Sequence, residues 1–432
     1  MEPLPVLILI VCFALLLGLG LPVSFSLGLS TVAAMLMSIK AVAALTTVAQ
    51  RMAASLDSFA LLAIPFFILS GQLMNRGGSA RRLIALAKVL VGMFPGALAF
   101  VNIMAAMLFG AISGSAVASA AAIGGFMTPM MKKEGYDLNF STAVNMTSAV
   151  TGLIIPPSNV LIIYSVASGG VSIAALFIAG YLPGILLGIS LMVAAGMISY
   201  LKGYPVAQKV SLKEATFLLL DSLPSLFLIV LVIGGIVAGY FTATEASAVA
   251  VLYTFILSVI IYKEVKWKEL PKILIETSAT TAVVMLLVGA SMGMSWIISY
   301  ENIPQNVSAS LLALSGSRFV ILMIINFLLL IVGTFMDITP AVLIFTPIFL
   351  PVVLRLGIHP IHFGIIIVMN LCIGLCTPPV GSVLFISCGI AGTTISRVFK
   401  PLLPFFLAML FTLLLVTYFP EISLFLPKIF GY

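Results

Sequence analysis

The chain alternates long apolar runs with short polar breaks along nearly its whole length. Most of these runs reach the roughly 20 residues that an α-helix needs to cross the hydrocarbon core of a bilayer. Their apolar residues are continuous rather than alternating, which excludes the strands of a transmembrane β-barrel. Because backbone polar groups in lipid must be hydrogen-bonded internally, the pattern predicts an all-α membrane protein.

The pattern also repeats once along the chain. The two Pro-Pro pairs, 156–157 and 378–379, are 222 positions apart. At that same offset, and without gaps, further positions carry matching residues in the two halves of the chain. They are Pro129 and Pro351, Gly135 and Gly357, Gly152 and Gly374, Ser165 and Ser387, Gly170 and Gly392, and Lys133 and Arg355. The shared spacing predicts two structural repeats, residues 1–201 and 217–432.

Both repeats divide into the same predicted parts. The first has a scaffold in 1–75 with helices near 3–21, 22–40 and 56–75, an amphipathic arm at 77–93, a long stretch at 95–131, an interrupted helix at 138–168 and a last helix at 172–201. The second has a scaffold in 217–298 with helices near 217–240, 245–262 and 273–298, an arm at 301–315, a long stretch at 317–354, an interrupted helix at 361–391 and a last helix at 402–425.

The two long stretches are too long for one span, and each has a polar break at its middle, at 113–115 and at 336–340. This pattern favours a re-entrant helical hairpin, which enters and leaves the membrane on one face. Non-helical backbone at membrane depth is tolerated only where it lines a cavity or is buried in protein. The hairpin tips therefore indicate a binding site.

The distribution of charge tests this interpretation. If the long stretches are hairpins, each repeat has five spanning helices. Because five is an odd number, the two repeats must be inverted relative to each other. Fifteen of the 20 Lys and Arg residues then fall in loops assigned to the cytoplasm, as the positive-inside rule requires. These loops are 76–88, 132–137, 202–213, 263–272 and 397–400. Both termini are predicted to be periplasmic. The net charge of +7 is explained by these loops and predicts no nucleic-acid partner.

Composition excludes other classes of protein. Only 8% of the residues are charged, whereas soluble domains have about 25%. The four cysteines lie inside apolar runs without metal-ligand spacing, so neither disulfides nor a structural metal site is predicted. The first residues have no basic region and no small-residue cleavage site, so the first apolar run is predicted to be a retained helix rather than a signal peptide.

Both interrupted helices break at a Pro-Pro pair, which removes two backbone donors and clashes with the preceding turn. A break exposes N–H groups at the start of one half-helix and carbonyl groups at the end of the other. The N–H end favours a carboxylate, and the carbonyl end favours a small cation. The alternative is a proline kink that serves packing only. The predicted substrate-binding residues are Ser158, Asn159, Gly381 and Ser382.

Cation binding is predicted at the hairpin tips and at the carbonyl ends of the breaks. The candidate residues are Ser113, Gly114, Ser115, Gly152, Pro156, Gly333, Asp337, Thr339, Gly374, Thr377 and Pro378. Asp337 is the strongest candidate, because a carboxylate at membrane depth is costly without a partner and its hairpin offers no nearby Lys or Arg. The alternatives are a helix cap at Asp337 and, at the first tip, tight packing of small residues from Gly110 onward.

Other polar residues are predicted to be structural. Glu276 can pair with the lysine one turn before it. His359 and His362 are predicted to be solvated in an external loop. The basic residues of 76–88 are predicted to lie along the anionic inner leaflet.

Several stretches resemble the large membrane subunit, of the DctM type, of tripartite ATP-independent periplasmic (TRAP) transporters. They are AIPFFILSG at 63–71, FGAISGSAVA at 109–118, Gly-Tyr at 135–136, IIPPSN at 154–159 and TPPVG at 377–381. The resemblance covers essentially the whole chain. Asn159 departs from the family pattern, in which an apolar or small residue is expected, and Lys40 and Arg51 lie on the less basic face.

The resemblance implies an elevator-type carrier in the bacterial inner membrane that takes up an organic acid with sodium. It also implies a separate, small four-helix membrane subunit and a soluble periplasmic substrate-binding protein. Dicarboxylates, sialic acid and other sugar acids are substrates of the family, and no cofactor is expected besides the coupling sodium ions.

Two other functions remain as alternatives. A stand-alone sodium–carboxylate symporter of similar architecture would need no partner chains. An intramembrane serine hydrolase using Ser113 would need a general base within hydrogen-bond reach, and both histidines are predicted on the opposite side. The prediction is therefore that the protein is not an enzyme. An ion channel is disfavoured, because duplicated broken helices suit alternating access better than a continuous pore.

Overall fold

The computed structural model describes residues 3–94, 96–205, 211–378 and 380–432 of the chain. These residues form twenty α-helices and no β-strand, which confirms the prediction of an all-α protein. Eight helical segments among them are long and apolar enough to cross a membrane.

The first half of the described chain contains ten helices. They are α1 (Pro3–Gly18), α2 (Val23–Ser38), α3 (Ala41–Leu56), α4 (Ala63–Arg76), α5 (Ser79–Val91), α6 (Ala97–Ser113), α7 (Ala116–Lys133), α8 (Leu138–Ala149), α9 (Asn159–Ala167) and α10 (Ile173–Lys202). Short 3₁₀ turns precede α4, at Phe59–Leu62, and follow α8, at Val150–Leu153.

The second half contains another ten. They are α11 (Leu212–Val237), α12 (Ala243–Phe255), α13 (Leu270–Tyr300), α14 (Ile303–Leu314), α15 (Arg318–Phe335), α16 (Ile338–Arg355), α17 (Pro360–Gly374), α18 (Ser382–Ala391), α19 (Ile395–Tyr418) and α20 (Glu421–Ile429). A π-helical turn at Ile256–Ile261 extends α12, and a 3₁₀ turn at Trp267–Glu269 precedes α13.

Two helices differ from those predicted. The predicted parts include no helix between residues 40 and 56, but the structure has an amphipathic helix there, α3, which buries Ala44 and Val48 and packs against α2 and α13. The last predicted helix is divided into α19 and α20 at Pro420, because Phe419 leaves the helical conformation.

The arm helix α5 is held by ion pairs to the second half of the chain. Arg81 binds Glu264 at 2.8 Å, and the guanidinium of Arg82 binds Asp221 at 3.2 Å and lies 3.6 Å from the centre of the Tyr262 ring. These contacts join the arm to the α11 and α12 region of the chain. The position of the basic residues of 76–88 along the anionic leaflet stays a prediction, and two of these residues also have acidic partners within the protein.

Two further polar residues have different environments from those predicted. Glu276 pairs with Arg76 at the end of α4, rather than with Lys272 of its own helix. His362 is buried inside α17, where its Nδ1 lies 2.6 Å from the Ser423 hydroxyl, so it is not solvated. Pattern reasoning failed in both cases because the partner lies far away along the chain.

Candidate functional site

A cavity of about 240 Å³ lies where α4 and α13 meet the turns α6–α7 and α15–α16 and the first residues of α9 and α18. The residues of these two turns are named the first and second tip below. Seven of the predicted site residues line this cavity: Ser113, Gly114, Ser115, Asn159, Asp337, Thr339 and Ser382. They come from four separate segments of the chain, so the fold brings both predicted hairpin tips and both predicted helix breaks to one place.

The first tip is a tight turn that requires glycine. Gly114 has a φ of 59°, in the left-handed region, and its N–H donates to the carbonyl of Gly110 at 2.8 Å. The chain then enters α7, whose first turn is capped by the Ser115 hydroxyl accepting from the Ala118 N–H at 3.3 Å. The turn therefore places hydroxyl and carbonyl oxygens of Ser113 and Ser115 beside the cavity.

The second tip is extended at Met336 and Asp337. Asp337 precedes α16, but its carboxylate makes no capping hydrogen bond. Its side chain is exposed to the cavity instead. The carboxylate accepts a hydrogen bond from the backbone N–H of the adjacent Ile338, does not cap the first turn of α16, and faces the cavity, where it can meet a ligand.

The helix breaks supply two polar groups without a partner. The Oδ1 atom of Asn159 and the hydroxyl of Ser382 are buried and have no hydrogen bond in the described part of the chain, although both residues line the cavity. Each is the first residue of its half-helix, where free backbone N–H groups also point outward. Most buried polar groups in proteins are paired, so these two indicate a place for a ligand.

The other predicted site residues do not line the cavity. These residues are Gly152, Pro156, Ser158, Gly333, Gly374, Thr377, Pro378 and Gly381, and Pro379 lies outside the described residues. The Ser158 hydroxyl donates to the Leu153 carbonyl at 2.5 Å, and the Thr377 hydroxyl donates to the Ile373 carbonyl at 2.8 Å. Both hydroxyls thus hold the shape of a break.

Three of the predicted glycines, Gly152, Gly333 and Gly374, pack helix against helix. An added Cβ on Gly152 would overlap the backbone of Gly110, and one on Gly374 would overlap the backbone of Gly333. Each pair therefore brings the end of a tip-forming helix against the end of an interrupted helix. This contact positions the tip beside the break.

Sequence reasoning missed the polar residues that α4 and α13 contribute to the cavity wall, which are Gln72 and Asn75 of α4 and Thr280 of α13. The sequence did contain a signal for these residues, because Gln72 and Asn75 are amides near the end of a mostly apolar helix. Among the residues that the structure describes, none of the cavity's wall residues is Lys, Arg or His. Ser113 therefore has no basic side chain in the cavity to activate it as a nucleophile.

The sequence matches known proteins over almost its whole length. The profile of the family described as "Tripartite ATP-independent periplasmic transporter, DctM component" matches residues 10–422. The chain is 54% identical to "Uncharacterized protein YgiK" of Salmonella typhimurium, over 99% of this chain and 98% of that protein.

Two relatives have names that state a substrate. The chain is 40% identical to the C4-dicarboxylate TRAP transporter large permease protein DctM of Pseudomonas aeruginosa, over 87% of this chain and 88% of that protein. It is 38% identical to the sialic acid TRAP transporter large permease protein SiaM of Vibrio cholerae, over 96% of this chain and 97% of that protein.

Among solved structures, the YdaH transporter of Alcanivorax borkumensis has a TM-score of 0.64 at 15% identity, covering 87% of this chain and 88% of that one. At this identity the likeness concerns the fold alone.

Proposed function

Since this chain belongs to the family of DctM components of tripartite ATP-independent periplasmic (TRAP) transporters, we propose that it carries an organic acid across the bacterial inner membrane together with sodium ions. The family is a transporter component and not an enzyme, which excludes the serine hydrolase. TRAP large permeases work with a small membrane subunit and a periplasmic binding protein. We propose the same two partners here, with the small subunit as a separate chain.

The observation that carries this proposal is the meeting of both tips and both helix breaks at one cavity. Broken helices offer N–H groups to a carboxylate and carbonyl groups to a cation. Secondary transporters place substrate and coupling ions together at such half-helix ends near the middle of the membrane. The cavity thus combines the chemistry for an organic anion with that for sodium.

We propose one sodium site at each tip. Asp337 is the only charged wall residue among those described, and a sodium ion there would offset a carboxylate that is otherwise costly at membrane depth. At the first tip the hydroxyls and carbonyls of Ser113 and Ser115, with the Asn159 amide oxygen, are neutral ligands. If sodium and substrate bind the same conformation, each raises the affinity for the other by the same factor.

Inverted repeats are part of the proposal, and three contacts support them. The Thr412 hydroxyl donates to the Ser190 hydroxyl at 2.8 Å, and these residues are 222 positions apart, the offset of the sequence repeat. When a residue contacts the equivalent residue of the other repeat, both lie near the two-fold axis that relates the repeats. The Gly110–Gly152 and Gly333–Gly374 contacts are likewise similar in the two halves.

An elevator movement would carry the hairpins and interrupted helices past the scaffold helices. The contact between them is compatible with sliding, because Gly71 of α4 presents no side chain and an added Cβ there would lie 3.0 Å from the Ser113 carbonyl oxygen. The wall residues Gln72 and Asn75 lie near the end of α4 that leads into the loop predicted to be cytoplasmic. This placement supports an arrangement in which the cavity opens toward the cytoplasm.

The test is uptake into proteoliposomes that contain this chain with its small subunit, in the presence of its binding protein. Labelled C4-dicarboxylate and labelled sialic acid serve as substrates, with sodium inside, outside or on both sides. We expect accumulation only with an inward sodium gradient and both partners. Uptake at the full rate by this chain alone would favour the stand-alone symporter, and uptake driven equally by a proton gradient would contradict sodium coupling.

A further inference from the structure

The wall of the cavity divides into two chemically different faces. One face belongs to the tips and breaks and includes Asp337, Asn159 and Ser382, whereas the other belongs to α4 and α13 and includes Gln72 and Asn75. The first face holds the only acid, and neither face holds a cationic side chain among the described residues. A ligand that bridges both faces therefore meets sodium and half-helix ends on one side and neutral amides on the other.

Charge balance limits the number of carboxylates that such a cavity accepts. Asp337 contributes one negative charge, and the two proposed sodium ions contribute two positive charges. A substrate with one carboxylate brings the sum to zero, whereas a dicarboxylate leaves one negative charge without a counter-charge. Burying an unpaired charge in a medium of low dielectric constant is costly, so the balance favours a monocarboxylate.

The amides of the second face select the rest of the molecule. Gln72 and Asn75 are three residues apart on α4 and so project from the same side of the helix. Both are half-buried, and neither side chain has a hydrogen-bond partner in the described part of the chain. An amide both donates and accepts, and hydroxyl groups do the same, so hydroxyls match this face better than methylene groups or a second carboxylate.

The position of this face is held from outside the cavity. One turn beyond Gln72, Arg76 pairs with Glu276 of α13, which ties the ends of the two helices together. The Glu276 carbonyl in turn accepts a hydrogen bond from the Thr280 hydroxyl at 2.9 Å. The two amides are therefore presented on a fixed surface, which favours selective recognition because little freedom is lost on binding.

We propose, on the basis of the function proposed above, that the substrate is a hydroxylated monocarboxylate and that Gln72 and Asn75 bind its hydroxyl groups. Its carboxylate lies at the sodium ions and the first residues of α9 and α18. Its hydroxylated end extends to α4. The site rejects an unsubstituted dicarboxylate of equal carbon number, because that molecule adds a charge and leaves both amides unpaired.

The experiment measures thermal stability of the purified chain in complex with its small subunit, with and without sodium. Two pairs of acids with equal carbon number serve as probes: L-threonate against succinate, and D-gluconate against adipate. We expect the hydroxylated acid of at least one pair to raise the melting temperature in sodium while its dicarboxylate partner does not. A larger shift with either dicarboxylate, or no shift with any of the four acids, overturns the inference.

Variants then test the assigned residues. Gln72→Leu and Asn75→Leu should each weaken the apparent affinity for the stabilising acid by about fivefold, the effect of one lost hydrogen bond. The matched control is Gln305→Leu, since Gln305 is exposed on α14, and it should leave the affinity unchanged. An equal response of the three variants contradicts the role of α4.

The two proposals fail in different ways. Sodium-driven uptake of a dicarboxylate would preserve the proposed function and overturn this inference. Stabilisation by the hydroxylated acids that is the same with and without sodium would preserve the amide face, and it would contradict both sodium coupling and the charge balance.

Discussion

At the scale of single residues, Asp337 differs from every other acid of the described chain in facing the cavity. Asp337→Asn keeps the shape of the side chain but removes its charge. We expect the sodium concentration for half-maximal uptake to rise about tenfold, which corresponds to roughly 1.4 kcal/mol. Ser115→Ala at the first tip should have a smaller effect because carbonyl oxygens remain. Uptake measured against sodium concentration in proteoliposomes with both partner proteins checks both variants.

The matched control for Asp337→Asn is Asp57→Asn, the same chemical change at the exposed end of α3. It should transport with an unaltered sodium dependence. If Asp337→Asn also keeps its sodium dependence, Asp337 has no part in ion binding.

The glycine pairs behind the tips make a second prediction at this scale. Gly374→Ala places a methyl group into the backbone of Gly333, and backbone cannot move aside as a flexible side chain can. We expect a loss of stability of about 1–3 kcal/mol, as overpacking gives, together with impaired uptake. The control is Gly389→Ala in α18, where an added Cβ meets nothing within 4 Å. The measurement is the melting temperature of each purified protein. Equal values for the two variants would contradict the close contact between Gly374 and Gly333.

At the scale of helices, the arm α5 is joined to α11 and to the end of the α12 segment through Arg82. Its side chain is only 13% exposed and is held by Asp221 and the Tyr262 ring. Arg82→Gln should lower the free energy of unfolding by about 1–3 kcal/mol, since it leaves the Asp221 carboxylate unpaired. Arg81→Gln is the control, because Arg81 is 64% exposed and exposed ion pairs contribute about 0–1 kcal/mol. Denaturation curves of the two variants that coincide would contradict a structural role of the Arg82 pair.

At the scale of the whole molecule, the orientation in the membrane follows from the positive-inside rule rather than from the structure. In a background without the native cysteines, an impermeant reagent should label Tyr432→Cys in intact cells and Lys268→Cys only after permeabilisation. Both positions are exposed on the described chain, at its C-terminus and in the turn before α13. Gln208, in the loop 202–213 that is also predicted to be cytoplasmic, lies outside the described residues. Labelling of Lys268→Cys from outside would contradict the predicted orientation.

The sequence by itself determined the helical class, the family resemblance and the residues at the tips. The reason is that each depends on local information: continuous apolar runs, Pro-Pro pairs that interrupt helices, and polar tripeptides in the middle of long apolar stretches. Seven of the predicted site residues line the cavity. They could be predicted because a break in a helix is caused by the residues at the break itself. The amphipathic helix α3 was not among the predicted helices, and it is not a continuous apolar run, since Gln50 and Arg51 lie within it.

Only the tertiary structure decided which residues face each other across long distances in the chain. It brought Gln72 and Asn75 of α4 to the same cavity as Asn159 and Ser382, and it paired Arg76 with Glu276, 200 positions away. It also buried His362 against Ser423. Spacing along one helix reports only neighbours three and four residues away. Partners between helices depend on packing, which no single segment encodes.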